Sequence, residues 1–170
     1  VFLDYPRVPT TVEEIRLSSG RAGVIETLGI MRKLVRHYKR DPHIMEVARA
    51  VVAMLPAKNW RAENAAMLDF VRNEIRYTAD VNGVETLYTP DKLLDVRQGD
   101  CDDMATLLAT LLESIGHPTR FKAVGFAPDE LSHVYVQVRD GTEWVSLDAT
   151  ENERVGWEPE DIVSVFYVHN

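Results

Sequence analysis

The chain has 170 residues and a mass of 19.3 kDa, which fits one domain or one domain with a small extension. Hydrophobic residues make up 45% and charged residues 27%, so a core can be buried, and the single cysteine, Cys101, excludes an internal disulfide or a multi-cysteine zinc site. The formal net charge of -8 is unevenly divided, with 13 Lys/Arg against 9 Asp/Glu in residues 1–76 and 6 against 18 in residues 77–170; the acidic second half argues against nucleic acid near any active site there.

The first residues, Val1-Phe2-Leu3-Asp4-Tyr5-Pro6-Arg7, lack a basic start followed by an apolar run, so no signal peptide is expected. The chain begins with Val rather than Met, so the true start can lie upstream. From about Ala22 to Arg40, Ile25, Leu28, Met31 (or Ile30), Leu34 and Val35 recur at helical spacing. Arg32, Lys33, Arg36, Lys39 and Arg40 read as the solvated face of that helix rather than as a site for an anionic partner. Asp41-Pro42 is an N-cap and N1 pair that opens a second helix toward Leu55. A third helix runs from about Ala62 to Arg76. Tyr77 to Gln98, with Asn82-Gly83 and Thr89-Pro90, reads as mostly loop with a turn of helix near Leu93.

Asp102 to Ser114 is the strongest helix, with Met104, Leu107, Leu108, Leu111, Leu112 and Ile115 on one face. Its uncharged stretch, Met104 to Leu112, is too short to cross a bilayer. Asp100 is placed to cap it, Asp102 and Asp103 fill its first turn, and Gly116 with Pro118 ends it. Strand patterns follow at Thr119–Phe126, His133–Arg139, Thr142–Asp148 and Ile162–Val168. The order of helices, central helix and then sheet makes the fold class α+β. Residues 1–58 read as a helical N-terminal extension and 59–170 as the core.

Cys101 sits at the first turn of the central helix, where unpaired backbone N–H groups and the helix dipole favour thiolate. Asp100, Asp102 and Asp103 oppose this if they point at the sulfur, or cap the helix if they point away. Asp140-Gly141 is a strong two-residue turn signal. Closed between Arg139 and Thr142, it sets His133 directly across from Asp148, within hydrogen-bond reach. Val134, Val136, Val138, Val145 and Leu147 then share the opposite face. A thiol, an imidazole that accepts its proton and a carboxylate that orients the imidazole have the division of labour of nucleophilic catalysis. The plain alternatives are an inert buried cysteine and a His–Asp pair that merely holds a hairpin end.

Three blocks resemble the transglutaminase-like superfamily, whose fold is papain-like. They are Gly99-Asp100-Cys101-Asp102-Asp103 with the Leu-rich helix to Gly116, Ser132-His133-Val134-Tyr135-Val136, and Trp144-Val145-Ser146-Leu147-Asp148-Ala149-Thr150. Tyr135 stands where an aromatic, often Trp, is usual. Ile75-Arg76-Tyr77 is similar to the segment leading into this core, so the resemblance covers about residues 60–150. It implies a thiol acyl-transfer centre with Cys101 as nucleophile, His133 as base and acid, and Asp148 as orienter. The oxyanion hole would use the Cys101 backbone N–H and a second donor. Papain-type enzymes place a Gln a few residues upstream; the nearby candidate here is Gln98, at a different offset. Animal transglutaminase calcium sites have no recognisable counterpart, and no cofactor or metal is expected; carboxylates at 100, 102 and 103 read as helix-terminal groups.

Trp144 and Tyr135 fall on the His133 face; they are candidates for a substrate groove, although packing against the central helix is the favoured expectation. His37, His43 and His169 lie outside the motifs, and His117-Pro118 marks the turn after the helix. Gly125 to Leu131 enters beside His133 and is either a specificity loop or a connector. The expected function is thiol-dependent acyl transfer on amide bonds, with peptide or isopeptide hydrolysis ahead of transamidation or deamidation. The rival is a non-catalytic binding or assembly module with the same fold, and a metal hydrolase using His133 and aspartates is a third reading. Expected partners are a protein or peptide substrate, with no nucleic acid at the active site and no membrane. The free thiol suits the cytoplasm, and the helical preface resembles stand-alone proteins of phage and prophage gene sets, which leaves a virion location open.

Overall fold

Asp41 and Pro42 act as the sequence predicts: the Asp41 carboxylate accepts from the N–H groups of His43 and Ile44, and a helix begins at Pro42. The computed structural model describes residues 11–80 and 86–170; Val1–Arg7 and the Asn82-Gly83 turn signal lie outside them. Helices α1 (Gly20–Tyr38), α2 (Pro42–Val52) and α3 (Trp60–Glu74) precede a short strand β1 (Arg76–Tyr77). Helix α4 (Pro90–Val96) leads to β2 (Gln98–Gly99) and the central helix α5 (Cys101–Ser114). Strands β3 (Thr119–Gly125), β4 (His133–Asp140), β5 (Glu143–Leu147) and β6 (Ser164–His169) complete the chain. The last four form an antiparallel sheet in the order β5-β4-β3-β6, while β1 and β2 make a parallel pair. Among the described residues no helix is long and apolar enough to cross a membrane.

Helix α5 is covered all round rather than on one face. Residues Asp103 to Leu112 are all buried, because α1, α2 and α3 pack on one side of the helix and the sheet on the other. Leu107, Leu108, Leu111 and Leu112 have no exposure, and burying such side chains contributes about 1.5–3 kcal/mol each. Two buried hydroxyls are satisfied within the helix, Thr106 Oγ1 donating to the Asp102 carbonyl and Thr110 Oγ1 to that of Thr106. The helix ends at Gly116, whose φ of +93° suits glycine. His117 then pins the turn to α3, with Nδ1 2.7 Å from Asn64 Oδ1, Nε2 2.6 Å from Glu63 Oε2, and its ring stacked on Trp60.

The sheet has two unlike faces. Phe121, Ala123, Val134, Val136, Val138 and Leu147 join the core with α5. On the other face, strand pairing aligns Lys122 with Tyr135 and with Tyr167, and Gln137 with Ser146. The segment from Asp148 to Val163 crosses this outer face and returns to β6.

Candidate active site

The start of α5 is fixed by a capping box. The Asp100 carboxylate accepts from the N–H groups of Asp102 (3.0 Å) and Asp103 (3.3 Å), and Asp103 Oδ2 accepts from Asp100 N–H at 3.3 Å. The other Asp103 oxygen accepts from Tyr88 N–H at 2.7 Å. Gly99 makes room for this: a Cβ there would lie 2.5 Å from Asp103 Oδ2. Two of the three carboxylates thus cap the helix, whereas Asp102 turns to the sulfur, whose Sγ is 3.6 Å from Asp102 Oδ1. The thiol also receives the backbone N–H of Val134, the residue after His133 on β4. Burial, then the charges of Asp102 and Asp100, push the Cys101 pKa far above the ordinary thiol range, and the Val134 N–H only partly offsets them. These surroundings favour the neutral thiol over thiolate despite its place at a helix N-terminus.

His133 and Asp148 meet as expected but by a different register. The loop residues are Gly141 and Thr142, between paired Asp140 and Glu143, not Asp140-Gly141. Gly141 has φ +63°, so glycine occupies the first loop position, as a type II′ turn requires. The ladder shifts by two residues and pairs Val136 with Leu147. A two-residue shift keeps every side chain on its face, so Asp148 reaches His133 diagonally rather than from directly opposite. His133 Nε2 and Asp148 Oδ2 are 2.6 Å apart.

The second Asp148 oxygen accepts from the N–H and hydroxyl of Thr150, at 3.0 and 2.7 Å. Arg72 of α3 donates to the Asp148 carbonyl at 2.9 Å and to that of Glu153 at 3.0 Å. Burial alone would raise the Asp148 carboxyl; the hydrogen bond and charge of His133, with Thr150, outweigh it and hold the pKa low. With Nε2 on Asp148, Nδ1 is the ring nitrogen left for a thiol proton. Among the described residues no hydrogen bond joins the sulfur to the imidazole, and the side-chain bond of the thiol goes to Asp102.

The remaining expected residues are distributed as follows. Gln98 is on β2, its Oε1 accepting from Arg76 at 2.7 Å. Tyr135 is only 1% exposed, so it lines no open groove, and it packs beside His133 and Lys122 on the outer sheet face. Trp144 contacts Arg120 and His169 on that same face. The expectation that both pack against the central helix is thus corrected, because α5 covers the valine face instead. At the end of β3, a Cβ on Gly125 would fall 1.9 Å from the Glu130 carbonyl oxygen of the loop before β4, so glycine alone permits the approach.

Sequence reasoning gave no role to Tyr77. It lies opposite Gly99, two residues before Cys101, in the β1–β2 pair, and its hydroxyl pKa is raised by burial and by the charges of Cys101, Asp100, Asp102 and Glu151. Its signal was the Ile75-Arg76-Tyr77 block. Among the described residues no group of three His, Cys, Asp or Glu is arranged to hold a metal ion.

Asp103 makes a pH-dependent contribution. Burial, with Asp100 and Asp80 adding to it against the Tyr88 and Asp100 N–H groups, raises its pKa to about 7. A carboxyl raised on folding binds protons more tightly in the native state, so its contribution is full below the unfolded value and lost as pH rises through the folded one. Thermal unfolding is therefore expected to show stability falling between about pH 4 and pH 7. Asp103→Asn should flatten that slope; an unchanged slope would overturn the assignment.

The sequence model of the transglutaminase-like superfamily matches residues 46–149, more than half of the chain. A sequence search of curated proteins gives no match. A candidate cysteine protease from Cytophaga hutchinsonii superposes with a TM-score of 0.58 at 17% identity, over 86% of this chain and 55% of that one. For a candidate protease from Parabacteroides distasonis the values are 0.59, 15%, 82% and 31%. Calcium-bound Legionella pneumophila LapG superposes with a TM-score of 0.56 at 18% identity, over 80% of each chain. The chain thus spans about half of the first relative and under a third of the second. At such identities the likeness is one of fold.

Proposed function

The chain belongs to the transglutaminase-like superfamily, and from that membership we propose that it cleaves amide bonds of peptides or isopeptides through Cys101, His133 and Asp148. The observation that carries this reading is the 2.6 Å His133–Asp148 bond on the strand whose next residue, Val134, meets the thiol. Because burial and Asp102 favour the neutral thiol, His133 Nδ1 takes its proton as sulfur attacks the carbonyl carbon, rather than from a preformed ion pair. Asp148 holds the ring and stabilises the imidazolium. The carbonyl oxygen, now anionic, takes the Cys101 N–H at the start of α5 and a second donor from Gln98 or Tyr77, both on the β1–β2 pair. The imidazolium then protonates the departing amine as the C–N bond breaks. Water, deprotonated by His133, attacks the thioester, releases the acid and restores the thiol. An amine in place of water would make the same centre a transamidase.

Acid-quenched mass spectrometry with a peptide library tests this. Wild type is expected to carry an acyl group on Cys101 and His133→Ala none; a wild type that forms neither adduct nor product across the library would sink the proposal. A second reading, a binding or assembly module, draws on the neutral thiol and its bond to Asp102. Under it, wild type and Cys101→Ala bind the same peptides and neither turns them over.

A further inference from the structure

Asp148 fixes one edge of the His133 ring, while the support beneath the ring lies on the outer face of the sheet. Tyr135 is two residues along β4 on that face, its ring centroid 5.8 Å from that of His133 at an interplanar angle of 39°. Its hydroxyl is buried without a hydrogen bond of good geometry. Lys122 Nζ, which Glu158 holds, lies 5.7 Å from the centroid of the Tyr135 ring, and burial, then the charges of Glu158 and Asp148, raise the hydroxyl pKa.

Glu158 is the hub of this face. Both its oxygens are 2.8 Å from Lys122 Nζ, and Oε1 also accepts from Ser146 Oγ at 2.5 Å and Gln137 Nε2 at 3.0 Å. Lys122 is only 7% exposed, a burial that a lysine tolerates when its charge is matched. Burial alone would raise the Glu158 carboxyl; Lys122 and Ser146 outweigh it and hold it low. Glu158 also anchors the segment that begins at Asp148. That segment is pinned at Asp148 by His133, at Glu153 by Arg72 and at Glu158 by β3, β4 and β5.

We infer that Glu158 is a positioning residue for the His133–Asp148 pair, acting through Tyr135 and through the segment it pins across the sheet. The inference rests on the reading of His133 as base and Asp148 as orienter. It adds a residue that lies ten positions beyond Asp148 and touches neither sulfur nor imidazole. The charged and titratable groups set about the pair are Tyr135 from β4, whose ring lies beside His133, Arg72 from α3 on the Asp148 carbonyl, Cys101 from α5 facing the Val134 N–H with Asp102 and the N-cap Asp100 beyond it, and Lys122 from β3 through Glu158.

Long-range proton–nitrogen NMR of the histidine rings tests this without substrate, with His133 assigned from a His133→Asn variant. In Glu158→Gln the Lys122 charge is left uncompensated and the segment loses its hub, so the His133 ring-nitrogen signals are expected to shift away from their wild-type positions at fixed pH. His43 and His117, on other elements, should not move. The double variant Lys122→Met with Glu158→Gln removes both charges; it guards against a single variant that does not fold, and a shifted His133 Nε2 proton in it reports geometry rather than charge. His133 signals that coincide with wild type in the folded variants overturn the inference. If Asp148→Asn also leaves them unmoved, the His133–Asp148 reading itself fails. A protein that turns over no peptide still gives the ring-nitrogen spectrum, so the two failures are distinguishable.

Discussion

Cys101→Ala is expected to reduce amide turnover to background while leaving the fold intact. Loss of the nucleophile removes the thioester route altogether, and removal of one member of such a set costs about 10⁴-fold or more in rate. The same change is mild structurally. The thiol is small, its pKa-raising neighbours Asp100 and Asp102 are relieved of a group they oppose, and alanine is a good helix former at the first turn of α5. The change gives up the approach of the Val134 N–H to the sulfur, so unfolding should shift by no more than about 1 kcal/mol. Product analysis by mass spectrometry, beside a thermal melt, checks both halves. Persistent turnover in the variant would exclude Cys101 as nucleophile.

Asp148→Ala is expected to damage both activity and stability. Without the carboxylate the imidazole is neither held in one tautomer nor compensated when it charges, an effect of about 10²–10⁴-fold on kcat by analogy with other triads. The substitution also strands half-buried donors, since Thr150 N–H and hydroxyl and the His133 ring all point at this carboxylate, a loss of about 1–3 kcal/mol. The pH sign is the reverse of that for Asp103. A carboxyl held low in the native state stabilises above its unfolded value, and the benefit fades as pH falls toward the folded one. Wild type and variant should therefore differ most in urea unfolding near neutral pH and converge in acid. A constant difference down to acid pH would show that the charge of Asp148 is not the source.

Much of this was legible in the sequence because it is local. Asp100, Asp102 and Asp103 before a Leu-rich run announce a capped helix, and Asp41-Pro42 announces another. The four long strands follow from alternation and turn residues. Register was harder: Asp140-Gly141 and Gly141-Thr142 both offer a glycine for positive φ, and only pairing partners decide which closes the loop. The β1–β2 pair has two residues per strand, too few for any period to show. The state of the thiol was hidden for another reason. A helix N-terminus and three carboxylates pull in opposite senses, and burial, which decides between them, depends on α1 to α3 and the sheet together. Glu158 was invisible because its partners Lys122, Gln137 and Ser146 lie on three different strands.

The capping box at the head of α5 sets a limit on how this protein can be tuned, by selection or by an engineer. Asp100 raises the cost of ionising Cys101 and also begins the helix that carries Cys101. Asp103 closes the box and anchors Tyr88 as well. Sharpening the nucleophile by deleting Asp100 would unravel its own platform. Asp102 is the carboxylate whose side chain lies outside the box and on the sulfur, so position 102 is the dial by which reactivity can be traded without rebuilding the scaffold.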